Sequence, residues 1–177
     1  MTDRPARIVI VTVSDRASRG EYEDKGGPGA EAWLRDVITS PMQIDRVIVP
    51  DGRETVADKL RDLADADADL ILVTGGTGPA PRDLTPEAVA DVMDKELPGF
   101  GEEMRRASLA EVPTAILSRQ TAAIRGRSLI ITIPGKPSAI VTCLNAVFGA
   151  VPYCLDLIGA ARIETDPARI VAFRPKK

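Results

Sequence analysis

Leu70-Ile71-Leu72-Val73-Thr74-Gly75-Gly76-Thr77-Gly78-Pro79, followed by Arg82-Asp83-Leu84-Thr85-Pro86, decides how the rest of the chain is read. An unbroken apolar run that ends at glycine describes a strand buried on both faces, as in a parallel sheet. Gly75, Gly76 and Gly78 allow φ > 0 and let a ligand approach main-chain N–H groups. Thr85-Pro86-Glu87 reads as a helix start, with Thr as N-cap, Pro at the first helical position and Glu near the positive end of the dipole. Asp83 stands between turn and helix, where a carboxylate can hold a metal ion beside a bound phosphate. The stretch predicts a phosphate-handling crevice at the end of a central strand.

Outward from this strand the same alternation recurs. Arg7 to Val13 is apolar and β-branched, a second buried strand, and it ends at Ser14-Asp15-Arg16 and a polar loop from Arg19 to Gly27. Pro28 is expected to open a helix with Ala32, Trp33 and Val37 on one side. Ile44 to Val49 reads as a strand closed by Pro50-Asp51-Gly52, and Arg53 to Ala66 as a helix whose Val56, Leu60 and Leu63 recur at helical spacing. Val89, Val92 and Met93 face the core from the helix that begins at Thr85, and Pro98-Gly99 is expected to stop it. A further helix spans about Glu102 to Ala110. Leu129 to Ile133 is a strand ending in Pro134-Gly135-Lys136-Pro137-Ser138, and Ala139 to Val147 is helical. Cys154, Leu155, Leu157 and Ile158 suggest a last buried helical turn, and Ile170 to Phe173 a short tail segment. Such βα spacing predicts a three-layer α/β/α fold with a mainly parallel, mixed-edge sheet, and no break in composition divides residues 1–177 into more than one domain.

Composition narrows the function. With 177 residues, 44% of them hydrophobic and 28% charged, the chain is a globular one able to bury roughly 70% of its unfolded surface. Lys plus Arg number 23 and Asp plus Glu 26, and aromatics make up only 3%, which argues against a nucleic-acid binder. The sequence contains no histidine, which removes the Ser-His-Asp triad, the Cys-His dyad and every His-containing zinc site. Cys143 and Cys154 fit no metal-ligand spacing and are expected to pack as small apolar residues. Met1-Thr2-Asp3-Arg4-Pro5 carries no signal-type apolar stretch and no apolar run reaches 18 residues, so a cytoplasmic protein without membrane contact is expected.

In open parallel sheets ligands bind outside the carboxyl ends of the strands. Here those ends carry Ser14 and Asp15; Asp51; Thr74, Gly75, Gly76, Thr77 and Gly78; and Pro134, Gly135, Lys136 and Ser138. Turns favour Gly, Asp and Ser in any case, but together these clusters crowd one edge with donors, carboxylates and cations, a mixture that suits a phosphate ester with a divalent metal. Asp51 either caps the helix that follows it or acts at the site, and the sequence leaves both readings open. Arg82, Arg119 and Lys136 are candidate phosphate ligands, each also explicable as a solvated charge. Other motifs fail. A Walker A loop needs glycine where Ile130 stands, and the Asp65-Ala66-Asp67-Ala68-Asp69 run has Leu70 and Gly76 where a calcium loop needs Gly and Glu.

Gly75-Gly76-Thr77-Gly78-Pro79 with Arg82-Asp83 and Thr85-Pro86, Pro98-Gly99-Phe100-Gly101-Glu102, Pro113 to Gln120, and Val151-Pro152-Tyr153-Cys154 together resemble the molybdenum cofactor biosynthesis family, most of all its bacterial molybdopterin adenylyltransferases. The resemblance runs from the strand at Arg7 to Phe173-Arg174-Pro175. It implies that fold, ATP and molybdopterin as substrates, Mg²⁺ as cofactor, a homotrimer, and transient contact with other proteins of the same pathway. It also implies that Asp51 and Asp83 are the catalytic and metal-binding aspartates and that Thr74 to Gly78, with Arg82 and Thr85, bind phosphates. Ser14, Asp15, Glu102, Ser118, Arg119 and the Pro134, Gly135, Lys136, Ser138 loop correspond to its active-site surroundings. The missing histidine is consistent with this chemistry, because a phosphate monoester with a second pKa of about 6 is already an anionic nucleophile. Two rival readings remain at this point: a non-catalytic pterin- or nucleotide-binding module, and a pyrophosphatase on the same domain.

Overall fold

The computed structural model describes residues 4–176, so Met1 to Asp3 of the N-terminal expectation lie outside the described residues. Strands β1 (Ala6–Val13), β2 (Met42–Val49), β3 (Leu70–Thr74), β4 (Lys95–Glu96), β5 (Ala122–Arg125) and β6 (Ser128–Ile133) form one sheet in the order β2-β1-β3-β6-β5-β4. β2, β1, β3 and β6 are mutually parallel, while β5 and β4 add an antiparallel edge. The expected mainly parallel sheet with a mixed edge is therefore present.

Side-chain alternation assigns the faces. Ile8, Ile10, Leu70, Leu72, Leu129 and Ile131 point to a core shared with α2 (Gly26–Val37), α5 (Pro98–Leu109), α6 (Pro137–Val147) and α7 (Val151–Leu157). Val9, Val11, Ile71, Val73 and Ile130 point the other way, against α3 (Arg53–Asp65) and α4 (Thr85–Ala90). Period 2 along a strand, read from central strands that are apolar throughout, thus supplies both interfaces of a three-layer structure. In the first core Trp33 meets Phe148 edge to face at 4.9 Å, and its Nε1–H donates to Asn145 Oδ1 at 3.0 Å. β2 is one edge of the sheet, and its exposed Asp45 and Arg46 are charges that discourage further strand pairing.

Several boundaries differ from expectation for identifiable reasons. Pro98 opens α5 instead of stopping the preceding helix, which ends at Ala90, and α5 begins four residues before Glu102. Leu84 is the N-cap of α4, with Thr85 its first helical residue and Pro86 next. α2 starts at Gly26, before Pro28, and a short α1 (Asp15–Ser18) follows β1. β4 and β5 are strands that the sequence pattern does not announce. β5 joins β6 through a two-residue Gly126-Arg127 turn, with φ +55° at Gly126, as the first central position of a II′ turn requires. Leu157 is 67% exposed, so only part of the last helical turn is buried, and Ile170 is buried while Val171 and Phe173 are not.

Pro137–Leu157 is continuously helical and, at a mean hydropathy of 1.6 over its 18-residue window, long and apolar enough to cross a membrane. Its Ile140, Cys143, Leu144, Val151 and Leu155 are instead buried in the first core. Cys143 and Cys154 are both free thiols, and burial raises the pKa of each.

Candidate active site

The chain runs from β1 out to β2 and then back to β3 on the other side of β1, so strand order reverses between β1 and β3. This switch point is where an open α/β sheet leaves a crevice. The glycine run stands over it. Gly75 has φ +98° and Gly76 φ +64°, and a Cβ on Gly75 would lie 2.4 Å from the Val13 carbonyl oxygen of β1. Gly78 does not have positive φ; its Cβ would lie 2.7 Å from Asp83 Oδ2. Two of the three glycines are thus required by backbone conformation and the third by a close carboxylate.

The four strand ends meet as expected. Ser14 N–H donates to Val49 O at 2.9 Å, tying β1 to β2, and Gly75 N–H donates to Ile133 O at 3.1 Å, tying β3 to β6. Thr74 Oγ1 donates to Pro134 O at 3.1 Å, and Gly135 lies against the Gly75 Cα. Thr85, fully buried, donates from its N–H to Gly76 O and from Oγ1 to Gly75 O at 2.9 Å, so the first residue of α4 holds the turn in place.

Asp51 does not cap α3, whose N-cap is Gly52 without a side-chain bond. Its Oδ2 accepts from Asp15 N–H at 2.8 Å while Asp15 Oδ1 accepts from Asp51 N–H at 3.0 Å. Each carboxylate fixes the other's backbone, and Ser14 caps α1 by accepting from Ala17 N–H. Among the described residues, each of the two carboxylates keeps a second oxygen with no hydrogen bond.

Asp83 sits in the loop before α4, where its Oδ2 accepts from Ala80 N–H at 3.0 Å and its own N–H donates to Ala80 O. Arg119 bridges this loop. Its N–H donates to Thr77 O, its Nε to Gly78 O at 3.0 Å, and its guanidinium also donates to Asp83 O and to the Glu87 carboxylate. That pairing lowers the Glu87 pKa and raises that of Arg119 through their hydrogen bond. Ser118 Oγ lies 3.4 Å from Thr77 Oγ1, and together with Pro134, Lys136, Ser138 and Gln120 it lines a cavity of about 170 Å³ between α5 and α6.

Two predicted residues are not drawn in. Arg82 is exposed in the loop and Glu102 is exposed on α5, and neither side chain makes a hydrogen bond with the described residues. Other residues were missed. Asp24 accepts from Thr12 Oγ1 at 2.8 Å and from Gly27 N–H at 3.0 Å, bringing the N-terminus of α2 over the ends of β1 and β3. There Gly26 faces Gly135 O and Thr74 Oγ1 so closely that a Cβ would sit 3.3–3.4 Å from them. The Gly26-Gly27 pair just before Pro28 was the available signal. Glu87 and Gln120 gave none.

No group of three or more acidic or thiol side chains among the described residues could cage a metal by itself. The spare oxygens of Asp15, Asp51 and Asp83 instead suit Mg²⁺, which is commonly held by one or two carboxylates plus substrate phosphates.

A glycine turn at the switch point, flanked by carboxylates and by the first turns of α2 and α6, defines an open α/β protein with a candidate anion site at its strand ends. The family described as a probable molybdopterin binding domain matches residues 9–153. The chain belongs to that family. It is 50% identical over 171 residues to the molybdopterin adenylyltransferase of Helicobacter pylori strain J99, covering 96% of this chain and 97% of that one. To the molybdopterin adenylyltransferase of Haemophilus influenzae it is 47% identical over 183 residues, covering 96% and 93%. Among solved structures, the molybdopterin biosynthesis enzyme MoaB from Thermus thermophilus superposes with a TM-score of 0.80 at 40% identity, over 88% of this chain and 98% of that one.

Proposed function

We propose that this chain is a molybdopterin adenylyltransferase. A terminal phosphate oxygen of molybdopterin attacks the α-phosphorus of ATP, a new P–O bond forms, and the bond to the β-phosphate oxygen breaks. Pyrophosphate leaves with that electron pair, and adenylyl-molybdopterin remains. The convergence of Asp51 and Asp83 on one edge with the glycine run supports this reading most directly. Near full-length identity to adenylyltransferases favours it over the binding module and the pyrophosphatase.

No side chain has to take a proton from the nucleophile, which is ionised near neutral pH. The chain's task is alignment and charge compensation for two polyanions. Main-chain N–H groups of Gly76 to Gly78 bind phosphate oxygens, with Thr77, Ser118, Lys136 and Ser138 as further donors and Ser14, Arg82 and Glu102 as outer contacts, while Gly75 and Thr74 hold the turn through their bonds to Ile133 O and Pro134 O. The Pro134-Gly135 turn brings the N-terminus of α6 to the same edge. Asp83 and Asp51 would hold Mg²⁺, with Asp15 fixing Asp51. Mg²⁺, when bound, supplies charge neutralisation at the transferring phosphoryl group. The reading extends to one domain over 1–177, to a homotrimer, to a cytoplasmic location, and to transient contact with other molybdenum cofactor biosynthesis proteins.

Incubation with ATP, Mg²⁺ and molybdopterin should release pyrophosphate and an AMP–pterin adduct only when pterin is present. ATP cleavage without pterin would indicate the pyrophosphatase, and tight binding without turnover the module. Asp51→Ala and Asp83→Ala should fold, lose transfer and keep most pterin binding; wild-type turnover in either variant refutes its assigned role.

A further inference from the structure

Arg119 carries the charge expected of a phosphate ligand, yet its hydrogen-bonding capacity is spent inside the protein. Nε–H donates to Gly78 O at 3.0 Å, Nη2 to Asp83 O at 2.5 Å and to Glu87 Oε2 at 3.2 Å, and Nη1 to Glu87 Oε1. A guanidinium has five N–H donors in a fixed planar fork. Four of them are occupied here, all by groups on one side of the crevice. The carbonyls of Gly78 and Asp83 are the two ends of a loop held internally by Ala80 N–H to Asp83 Oδ2 and Asp83 N–H to Ala80 O. One side chain therefore ties both ends of the loop together. Its backbone is anchored in turn, Arg119 N–H donating to Thr77 O at 2.8 Å, and Glu87 fixes the guanidinium from the first turn of α4.

We infer that Arg119 and Glu87 form a strut that positions Asp83 for the transfer reaction, and that Arg119 is a positioning residue instead of a phosphate ligand. The inference rests on the role given to Asp83 above. The chemistry of Glu87 distinguishes the two tasks. A carboxylate beside an arginine meant for a triphosphate would repel the incoming anion, whereas a carboxylate beside a strut orients the fork. Lysine cannot substitute, because a single ammonium cannot reach two carbonyls and a carboxylate in one plane.

The test compares Arg119→Gln, Arg119→Lys, Glu87→Gln and Asp83→Ala with the full-length wild-type protein. Misplacement of a reacting group by about 1 Å can lower a rate by about 10²-fold. Arg119→Gln is accordingly expected to lower kcat by about 10–100-fold with KM for ATP changed less than about 3-fold. Glu87→Gln should shift kcat in the same direction by a smaller factor, and Arg119→Lys should rescue little. Independently of activity, hydrogen exchange at the Ala80 and Asp83 amides should quicken in the Arg119 and Glu87 variants. A raised KM for ATP with unchanged kcat in Arg119→Gln, and a lowered KM in Glu87→Gln, would make Arg119 a phosphate ligand and overturn the strut. So would a fall in melting temperature with wild-type kcat per folded molecule. If Arg119→Gln fails to fold, Glu87→Gln and the exchange rates decide alone. Wild-type turnover in Asp83→Ala overturns the underlying role of Asp83. Lost turnover there with unchanged kcat in the strut variants overturns only the strut.

Discussion

Replacing Gly75 by alanine asks whether the crevice is imposed by the backbone. At φ +98°, an ideal Cβ would stand 2.4 Å from the Val13 carbonyl oxygen. That oxygen is part of β1 and cannot swing aside as the end of a side chain can. A carbon–oxygen contact relaxes at about 3.3–3.6 Å, so the turn and β1 must separate by roughly 1 Å. Overpacking of this kind costs about 1–3 kcal/mol. Holding an L-residue at positive φ adds about 1–2 kcal/mol. The sum, about 2–5 kcal/mol, corresponds to a fall in Tm of about 4–20 °C in a domain of this size. Gly20 is the control, with φ +72° and no atom within 4 Å of its ideal Cβ, so Gly20→Ala carries only the conformational part. Urea unfolding of both variants with unchanged m-value isolates the difference. Gly75→Ala should also lose more turnover than its stability explains, since the displaced strand ends carry the Asp15–Asp51 pair. If Gly75→Ala is as stable as Gly20→Ala, the close approach to Val13 is not what glycine serves here.

Three further outcomes follow from the same geometry. Asp69, 1% exposed, accepts from Arg4 at 2.7 and 2.8 Å, from Arg7 N–H at 2.8 Å and from Ala161 N–H at 2.8 Å. Asp69→Ala leaves the two amides without acceptors and should cost about 3–5 kcal/mol in denaturant titration, with turnover per folded molecule unchanged because the residue lies at the opposite edge of the sheet from the crevice. Thr85→Val, which removes the 2.9 Å bond to Gly75 O from a buried site, should cost about 1 kcal/mol and lower kcat through the turn it holds. Glu87 has its pKa lowered by the hydrogen bond from Arg119, so its contribution to stability is complete above the ordinary carboxylate value of about 4.3 and is lost as pH falls through the lowered folded value. Hydrogen exchange at Ala80 and Asp83, corrected for its intrinsic pH dependence, should therefore be flat from neutral pH down to about 5 and rise only in stronger acid; a rise near neutrality would contradict the pairing.

The fold's centre was legible because β1, β3 and β6 are apolar on both faces and end in glycine or polar residues. The edge was not, since Ala122 to Arg125 has neither strict alternation nor strong β propensity and owes its strand state to β6 beside it. Pro98 is ambiguous in sequence because proline both ends and opens helices, and only the neighbours in space tell which. At the site, Asp83, Thr85 and the glycines were legible from their order. Asp51 left two readings open, and the bond to Asp15, 36 residues away in sequence, separates them. Arg119 was legible as a cation at the site but not as one already engaged, because Glu87, Gly78 and Asp83 come to it only through the return of the chain after α5.

The two-residue turn between β5 and β6 bears on the order in which the molecule assembles. That pair is local and can close in about 1–10 μs. The pairing of β3 with β6 must bring Leu70 to Leu129, and that of β1 with β3 must bring Ile8 to Leu70. Loop-closure entropy grows with the length of chain enclosed, and such distant parallel pairings are slow. Gly75, Asp83, Glu87 and Arg119 all lie within the segment enclosed by β3 and β6. A chain emerging during synthesis therefore leaves the Gly75 N–H without its Ile133 acceptor until Ser128 to Ile133 has been made, so the glycine turn is completed only by a closure that spans the whole segment between β3 and β6.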